Sequence, residues 1–392
     1  MRKTLYAITA IGLFVPGAAA TAKTISGSYN GQAWTAQSTI VGQDSSATIP
    51  TGGNPLYLGF DQPGYSGTVG LLMQYDDGSG FVCSGSLLSS GRVLTAAHCV
   101  SDGYTSNVGG HAAGLVSTTA FFYDGVSQGV DPYIYPVGGA SLPGVVGIDV
   151  RNYHVNPGYT GQVIDYNDIA VLTLSEIAPA FAERYDLFTQ GDLTGSIFNV
   201  TGYGTRSVVG GAEGITGPGE GAGVGRLREG YNVYDYALGD PAFEGAFSFL
   251  SDNYEYSYIA DFDNGGLAQS MSCNLAFDIT GVFNPEFCDT GLGEFEVSTA
   301  GGDSGGASFI DGKIAAVTSY GLSFGTFYGD YKPGLQSSWG ELAGFVPTYI
   351  HADFIAGVPE PSSWAMLLFG FGAMGGVMRR RARTEAVRRA IA

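Results

Sequence analysis

Ser304 stands between an aspartate and two glycines in the run STAGGDSGGASF, residues 298–309. A serine hydroxyl is nearly inert at neutral pH. To attack a carbonyl it needs a base within hydrogen-bond reach, and an imidazole base needs a buried carboxylate to fix its tautomer and stabilise its charged form. Two other segments supply one candidate of each kind: VLTAAHCV with His98 and YNDIAVLTL with Asp168. The glycines around Ser304 have their own use. Because the glycines lack side chains, the backbone at Gly302 and Ser304 can turn sharply and aim both N–H groups at the point where a carbonyl oxygen becomes negative during attack. In a chain with 63 glycines among 392 residues, a GDSGG run carries little weight by itself. The combination of the three segments is what points to acyl transfer.

Residues of this kind must be held rigidly, and the surrounding sequence reads as β-structure. Short apolar runs bounded by Gly, Asn, Asp and Ser recur as TVGLLMQY, GSLLSS, RVLTAA, DIAVLTLS, SIFNVTGYG and KIAAVTSYG. Helical periodicity is absent until the segment from Tyr349 to Ile355, so an all-β barrel or sandwich with a short C-terminal helix is expected. Residues 23–64 are polar and weakly periodic and read as an N-terminal extension or propeptide rather than a domain.

The chain ends bound where the protein works. Arg2 and Lys3 precede an apolar run that closes in small residues, as a signal peptide over residues 1–22 would, with cleavage after Ala20 or Ala22. Near the other end, VPEPSSW leads into AMLLFGFGAMGGVM and then Arg379, Arg380, Arg381 and Arg383. That stretch can cross a membrane if its flanking residues snorkel, with the arginines staying cytoplasmic. Between 23 and 358 there are 9 basic against 34 acidic residues. This excess of negative charge opposes binding to nucleic acid or to anionic lipid.

Metal chemistry finds little support. Asp261, Asp263 and Asn264 in ADFDNGG offer oxygen ligands, but their spacing departs from an EF-hand loop and reads as an Asx-rich turn. His111, His154 and His351 lack the spacing of zinc ligands. No metal and no cofactor is expected.

The three segments, in the chain order His, Asp, Ser, resemble those of the chymotrypsin-like (trypsin-like, S1) serine peptidases. The resemblance covers residues 65–356 and implies two packed six-stranded antiparallel β-barrels with the site in the cleft between them. It implies His98 as general base and acid, Asp168 as its orienting carboxylate, Ser304 as nucleophile, and Gly302 with Ser304 as the oxyanion hole. Cys83 and Cys99 match the family disulfide that braces the histidine loop, and Cys273 and Cys288 suit the loop disulfide preceding the nucleophile. Ser298, six residues before Ser304, would lie at the base of the substrate pocket, where a neutral serine favours uncharged P1 residues. Ser319, Tyr320 and Gly321 would form the backbone strip that pairs with substrate. Asp303 would receive a new amino terminus after activation, for which Ile40-Val41-Gly42 is a candidate, or would be satisfied by other donors. Ala307 stands where the family usually has proline, and the cysteine that braces the specificity pocket is missing ahead of Gly301.

Residues 357–392 resemble the PEP-CTERM sorting signal of Gram-negative bacteria, in which Pro359-Glu360-Pro361 would be recognised by an exosortase. Signal peptidase and an exosortase are then the expected processing partners, a protein or peptide the expected substrate, and the membrane anchor a transient one. The competing reading is an inactive protease-like surface or matrix protein whose enlarged loops bind protein or polysaccharide. Esterase action by the same site is a third.

Overall fold

The computed structural model describes residues 25–37, 41–43, 54–60, 64–106, 110–129, 132–215 and 223–359. The signal peptide, Ile40, and the apolar stretch with its arginines all lie outside the described residues. Among the described residues no helix is long and apolar enough to cross a membrane.

The chain opens with a hairpin, β1 (Ile25–Tyr29) and β2 (Gln32–Gln37), followed by the short β3 (Val41–Gly42). Six strands then close a barrel: β4 (Thr68–Tyr75), β5 (Gly80–Ser89), β6 (Arg92–Thr95), β7 (Leu115–Tyr123), β8 (Val145–Val155) and β9 (Ala170–Leu174), in the spatial order β4-β5-β6-β9-β8-β7. Alternation explains how it fills. Val69, Leu71 and Met73 on β4 are all buried and share one face, as period-2 geometry requires, and they join Leu87, Val93 and Leu172 in one apolar cluster.

The second half holds β10 (Ile197–Gly202), β11 (Arg228–Val233), β12 (Tyr236–Ala237), β13 (Tyr258–Asp261), β14 (Val297–Ser298), β15 (Ala307–Ile310), β16 (Lys313–Ser323) and β17 (Leu342–Pro347). Its hydrogen-bonded path runs β11-β10-β15-β16-β17-β13-β12, and the N-terminal hairpin joins as an extra pair on β16, making nine strands in all. The sheet curls so far that its two sides approach each other. The gap is spanned by Asn232 on β11, whose Nδ2 donates to Asp261 O on β13 at 2.7 Å. Aromatic rings occupy the interior: Phe198 stacks on Tyr234 at 4.1 Å, and Phe345 stands edge-on to both. β14 pairs with β3 to form a separate two-stranded sheet.

Two helices complete the chain. α1 (Met271–Thr280) has no counterpart in the sequence expectation, which placed no helix before the C-terminal segment. Ser272, Asn274, Asp278 and Thr280 are weak helix formers, and the helix is held where Met271, Leu275 and Ala276 pack into an apolar cluster with Tyr236, Phe247 and Phe287. Gly281 ends it with φ of 69° and an N–H to Phe277 O bond of 2.8 Å. α2 (Ala352–Gly357) is the expected C-terminal helix. Arg92 of the barrel clamps its end by donating from Nη1 to Ile355 O and Val358 O, at 3.0 and 2.8 Å.

The second half also buries carboxyl groups. Ser272 Oγ lies within hydrogen-bond distance of both Asp235 and Asp261, at 2.9 and 2.8 Å, and Glu341 accepts N–H bonds from Gln336, Ser337 and Ser338. Asn264, by contrast, is exposed and accepts from Gly266 N at 3.1 Å in an Asx turn. Burial pushes Asp261 and Asp330 up to about 6 and Glu341 up to about 8. A carboxyl that binds its proton more tightly when folded destabilises the fold as pH climbs from its unfolded value to its folded one. Thermal unfolding should therefore give the highest Tm near pH 4 and a decline towards pH 8, at roughly 2–4 °C per kcal/mol for a domain of this size. A Tm rising over that interval would contradict the assignment.

Candidate active site

His98 and Asp168 lie 70 residues apart in the chain. The barrel brings them together. β6 and β9 are hydrogen-bonded neighbours whose register runs from Arg92↔Thr173 to Thr95↔Ala170. Just beyond the end of that ladder, β6 runs into a short 3₁₀ turn, Ala97–Cys99, that carries His98, while Asp168 stands two residues before β9. The Asp168 carboxylate is buried and accepts the His98 backbone N–H through Oδ1 at 2.7 Å, and it contacts His98 Nδ1 through Oδ2 at the same distance. The Cys83–Cys99 disulfide ties this turn to β5.

A third group meets the carboxylate. Ser319 Oγ donates to Asp168 Oδ2 at 2.5 Å. The pairing of β16 with β17 shifts register between Thr318 and Tyr320, so Ser319 is the extra residue of a bulge. Bulges commonly re-aim a side chain beside a functional site, and this one sends a hydroxyl across from the second sheet to a carboxylate of the first barrel. The sequence points to Ser319 only as part of the substrate strip.

These contacts act on His98, whose side chain is 27% exposed. Burial opposes the charged ring. Asp168 outweighs it by charge and hydrogen bond, leaving the imidazole above its ordinary 6.5.

Ser304 sits in the turn leading to β15 and is buried at 3% exposure. Its carbonyl oxygen accepts from Ser84 N at 2.8 Å and lies 3.6 Å from Cys99 Sγ, so the serine turn packs directly on the histidine turn. Two glycines make this possible. Gly302 has φ of 100° and Gly305 φ of 82°, a region L-residues rarely enter, and a Cβ on Gly305 would stand 2.0 Å from Thr95 Oγ1. Ser84 braces the loop, donating to Gly302 O and accepting from Tyr203 N, both at 2.9 Å. No signal in the single sequence distinguishes Ser84 from its neighbours.

Asp303 is fully buried, and it accepts from Gly204 N at 2.8 Å and Ala300 N at 2.9 Å. Burial raises its pKa well above the ordinary value, against the opposing Gly204 bond. Ser298 is also buried, opposite Val41 in the β14–β3 pair. Tyr320 is buried with its hydroxyl 2.6 Å from Ser257 Oγ. Gly321 takes part in strand pairing on both edges of β16, with β17 and with β2. The second disulfide joins Cys273 of α1 to Cys288. Among the described residues the one group whose atoms lie close enough to hold a metal is Cys83, His98 and Cys99, and both sulfurs are consumed by the disulfide.

Residues 59–127 match the trypsin family, a span that includes His98 but stops short of Asp168 and Ser304. Residues 357–382 match the PEP-CTERM protein-sorting motif. A solved structure described as HL collagenase is similar to 75% of this chain and 95% of its own, at 16% identity and a TM-score of 0.43. No curated protein matches the chain significantly. The chain thus matches the trypsin family over residues 59–127, the stretch that carries His98, and the PEP-CTERM protein-sorting motif over residues 357–382.

Proposed function

We propose that this protein is an exported serine endopeptidase that cleaves peptide bonds through His98, Asp168 and Ser304. The observation that carries the reading is the carboxylate of Asp168, which holds the His98 main chain, the His98 ring and Ser319 at once. In this reading the neutral imidazole carries its proton on Nδ1, facing Asp168, and Nε2 is the base.

In the reaction, Ser304 Oγ attacks the scissile carbonyl while its proton passes to His98 Nε2. The Gly302 and Ser304 N–H groups receive the oxyanion, and Asp303, bonded to Gly204 N and Ala300 N, holds the loop that presents them. Collapse of the intermediate breaks the C–N bond, and His98 returns the proton to the leaving amine. Water, deprotonated by the same ring, then releases the acyl group from Ser304. The sorting motif implies export in a Gram-negative cell, with signal peptidase and an exosortase processing the ends.

The test is labelling with a fluorophosphonate, which reacts with an activated serine. Ser304 should be modified in the folded ectodomain, and a folded protein that stays unlabelled would favour the binding-protein reading. Ser298 gives a neutral pocket base, so peptides with an uncharged P1 residue should exceed Arg and Lys peptides in kcat/KM by roughly tenfold or more. Basic substrates cleaved best in a chromogenic panel would refute that preference.

A further inference from the structure

Strand β16 has two edges. One is paired with β17 as far as Leu322. The other is covered by β15 only up to Val317, where the Ala307↔Val317 pair ends that ladder. Beyond the Ser319 bulge this second edge is the strip that, under the proposed function, would take a substrate as an added antiparallel strand. From Gly321 onward it is already occupied. β2 lies antiparallel along it with Gly321 opposite Gln37, Leu322 opposite Ala36 and Ser323 opposite Thr35.

The occupant is anchored by side chains as well. Ala36 and Trp34 are buried, and Tyr29 stacks on Phe249 at 5.1 Å with the rings 9° from parallel. At the hairpin turn Asn30 Nδ2 donates to Asp278 Oδ2 at 2.8 Å. After the hairpin, Val41 stands opposite Ser298. The outer strand adds little to this hold. β1 pairs only with β2, and most of its residues face solvent. A two-stranded hairpin of this kind is marginal without the surface it leans on.

We propose that the β1–β2 hairpin is an intramolecular occupant of the substrate edge of β16, competing with extended peptides for Gly321 and holding the full chain back on them. The inference rests on the endopeptidase reading. It adds that the segment ahead of the protease domain acts through strand pairing with the site rather than as a passive leader. A substrate that reaches only the Ser304 turn does not need the edge. A peptide extending three or more residues ahead of the cleaved bond does.

Two variants of the full ectodomain test this against two substrates, a single-residue ester and a four-residue peptide anilide. Tyr29→Ala removes the stack on Phe249 and should raise kcat/KM on the anilide by roughly tenfold, about the worth of one or two backbone hydrogen bonds, with the ester rate unchanged. Thr35→Cys with Ser323→Cys joins two residues that face each other across the pair, and the cross-linked form, verified by mass, should lose anilide turnover while keeping ester turnover. If Tyr29→Ala fails to fold, the cross-linked protein decides alone. Equal shifts on both substrates, or no shift on either while fluorophosphonate still labels Ser304, would overturn the inference and leave the endopeptidase reading standing. Absence of labelling in the wild-type protein would remove the reading on which it rests.

Discussion

Ser304→Ala is expected to lower kcat on a peptide substrate by about 10⁶-fold, to the residual rate left when a nucleophile of this kind is deleted. The oxygen removed is the atom that forms the covalent bond, so no conservative route replaces it. Combining Ser304→Ala with His98→Ala should cost little more than either alone, because residues acting as a unit lose their effect together. Stability should barely change, since the described contacts of Ser304 to Ser84 run through its backbone carbonyl, which alanine retains. The measurement is kcat on a peptide anilide with Tm recorded alongside. A variant retaining a tenth of wild-type activity would end the assignment of Ser304 as nucleophile.

Asp168→Asn should reduce kcat by about 10⁴-fold near neutral pH. An asparagine amide can still fill the space, but presenting its NH₂ to Nδ1 would force the ring proton onto Nε2, the nitrogen that must accept the proton of Ser304. The hydrogen bonds from His98 N and Ser319 Oγ also demand an acceptor, so a single amide oxygen cannot satisfy all three contacts of the native carboxylate. The pH profile gives a second readout. Asp168 holds the His98 pKa above 6.5, and the base works only when neutral, so wild-type kcat/KM should rise with pH through a midpoint above 6.5. Removing the negative charge leaves burial unopposed, and the midpoint should move to lower pH. A profile that does not move would show that Asp168 has no electrostatic hold on the ring.

Much of the candidate site could be read from short segments. TAAHC, NDIAVL and GDSGG each carry a reactive group inside strand-like text, and in the structure each lies at the end of a strand. Burial patterns agree with the apolar runs: DIAVLTLS becomes β9, buried at all five positions. The other parts escaped for identifiable reasons. α1 mixes good helix formers with weak ones and shows no clear helical period, and it is held by packing on Tyr236 and Phe247, residues outside its own segment. Ser319 gained its role on Asp168 only through a register shift against β17, and a bulge of that kind leaves no mark in the local pattern.

The amino-acid sequence alone determined which reactive groups exist, that β-strands carry them, and that residues 357–382 carry a sorting motif. These are properties of residue type and of neighbours a few positions apart. Tertiary structure decided which carboxylate oxygen meets which donor, that Ser84 and Ser319 brace the two halves of the site, and that residues 25–37 lie on the open edge of β16. Strand pairing is specified by hydrogen bonds and side-chain fit between segments far apart in the chain. The polar text of β2 would read the same whether it met Gly321 or solvent.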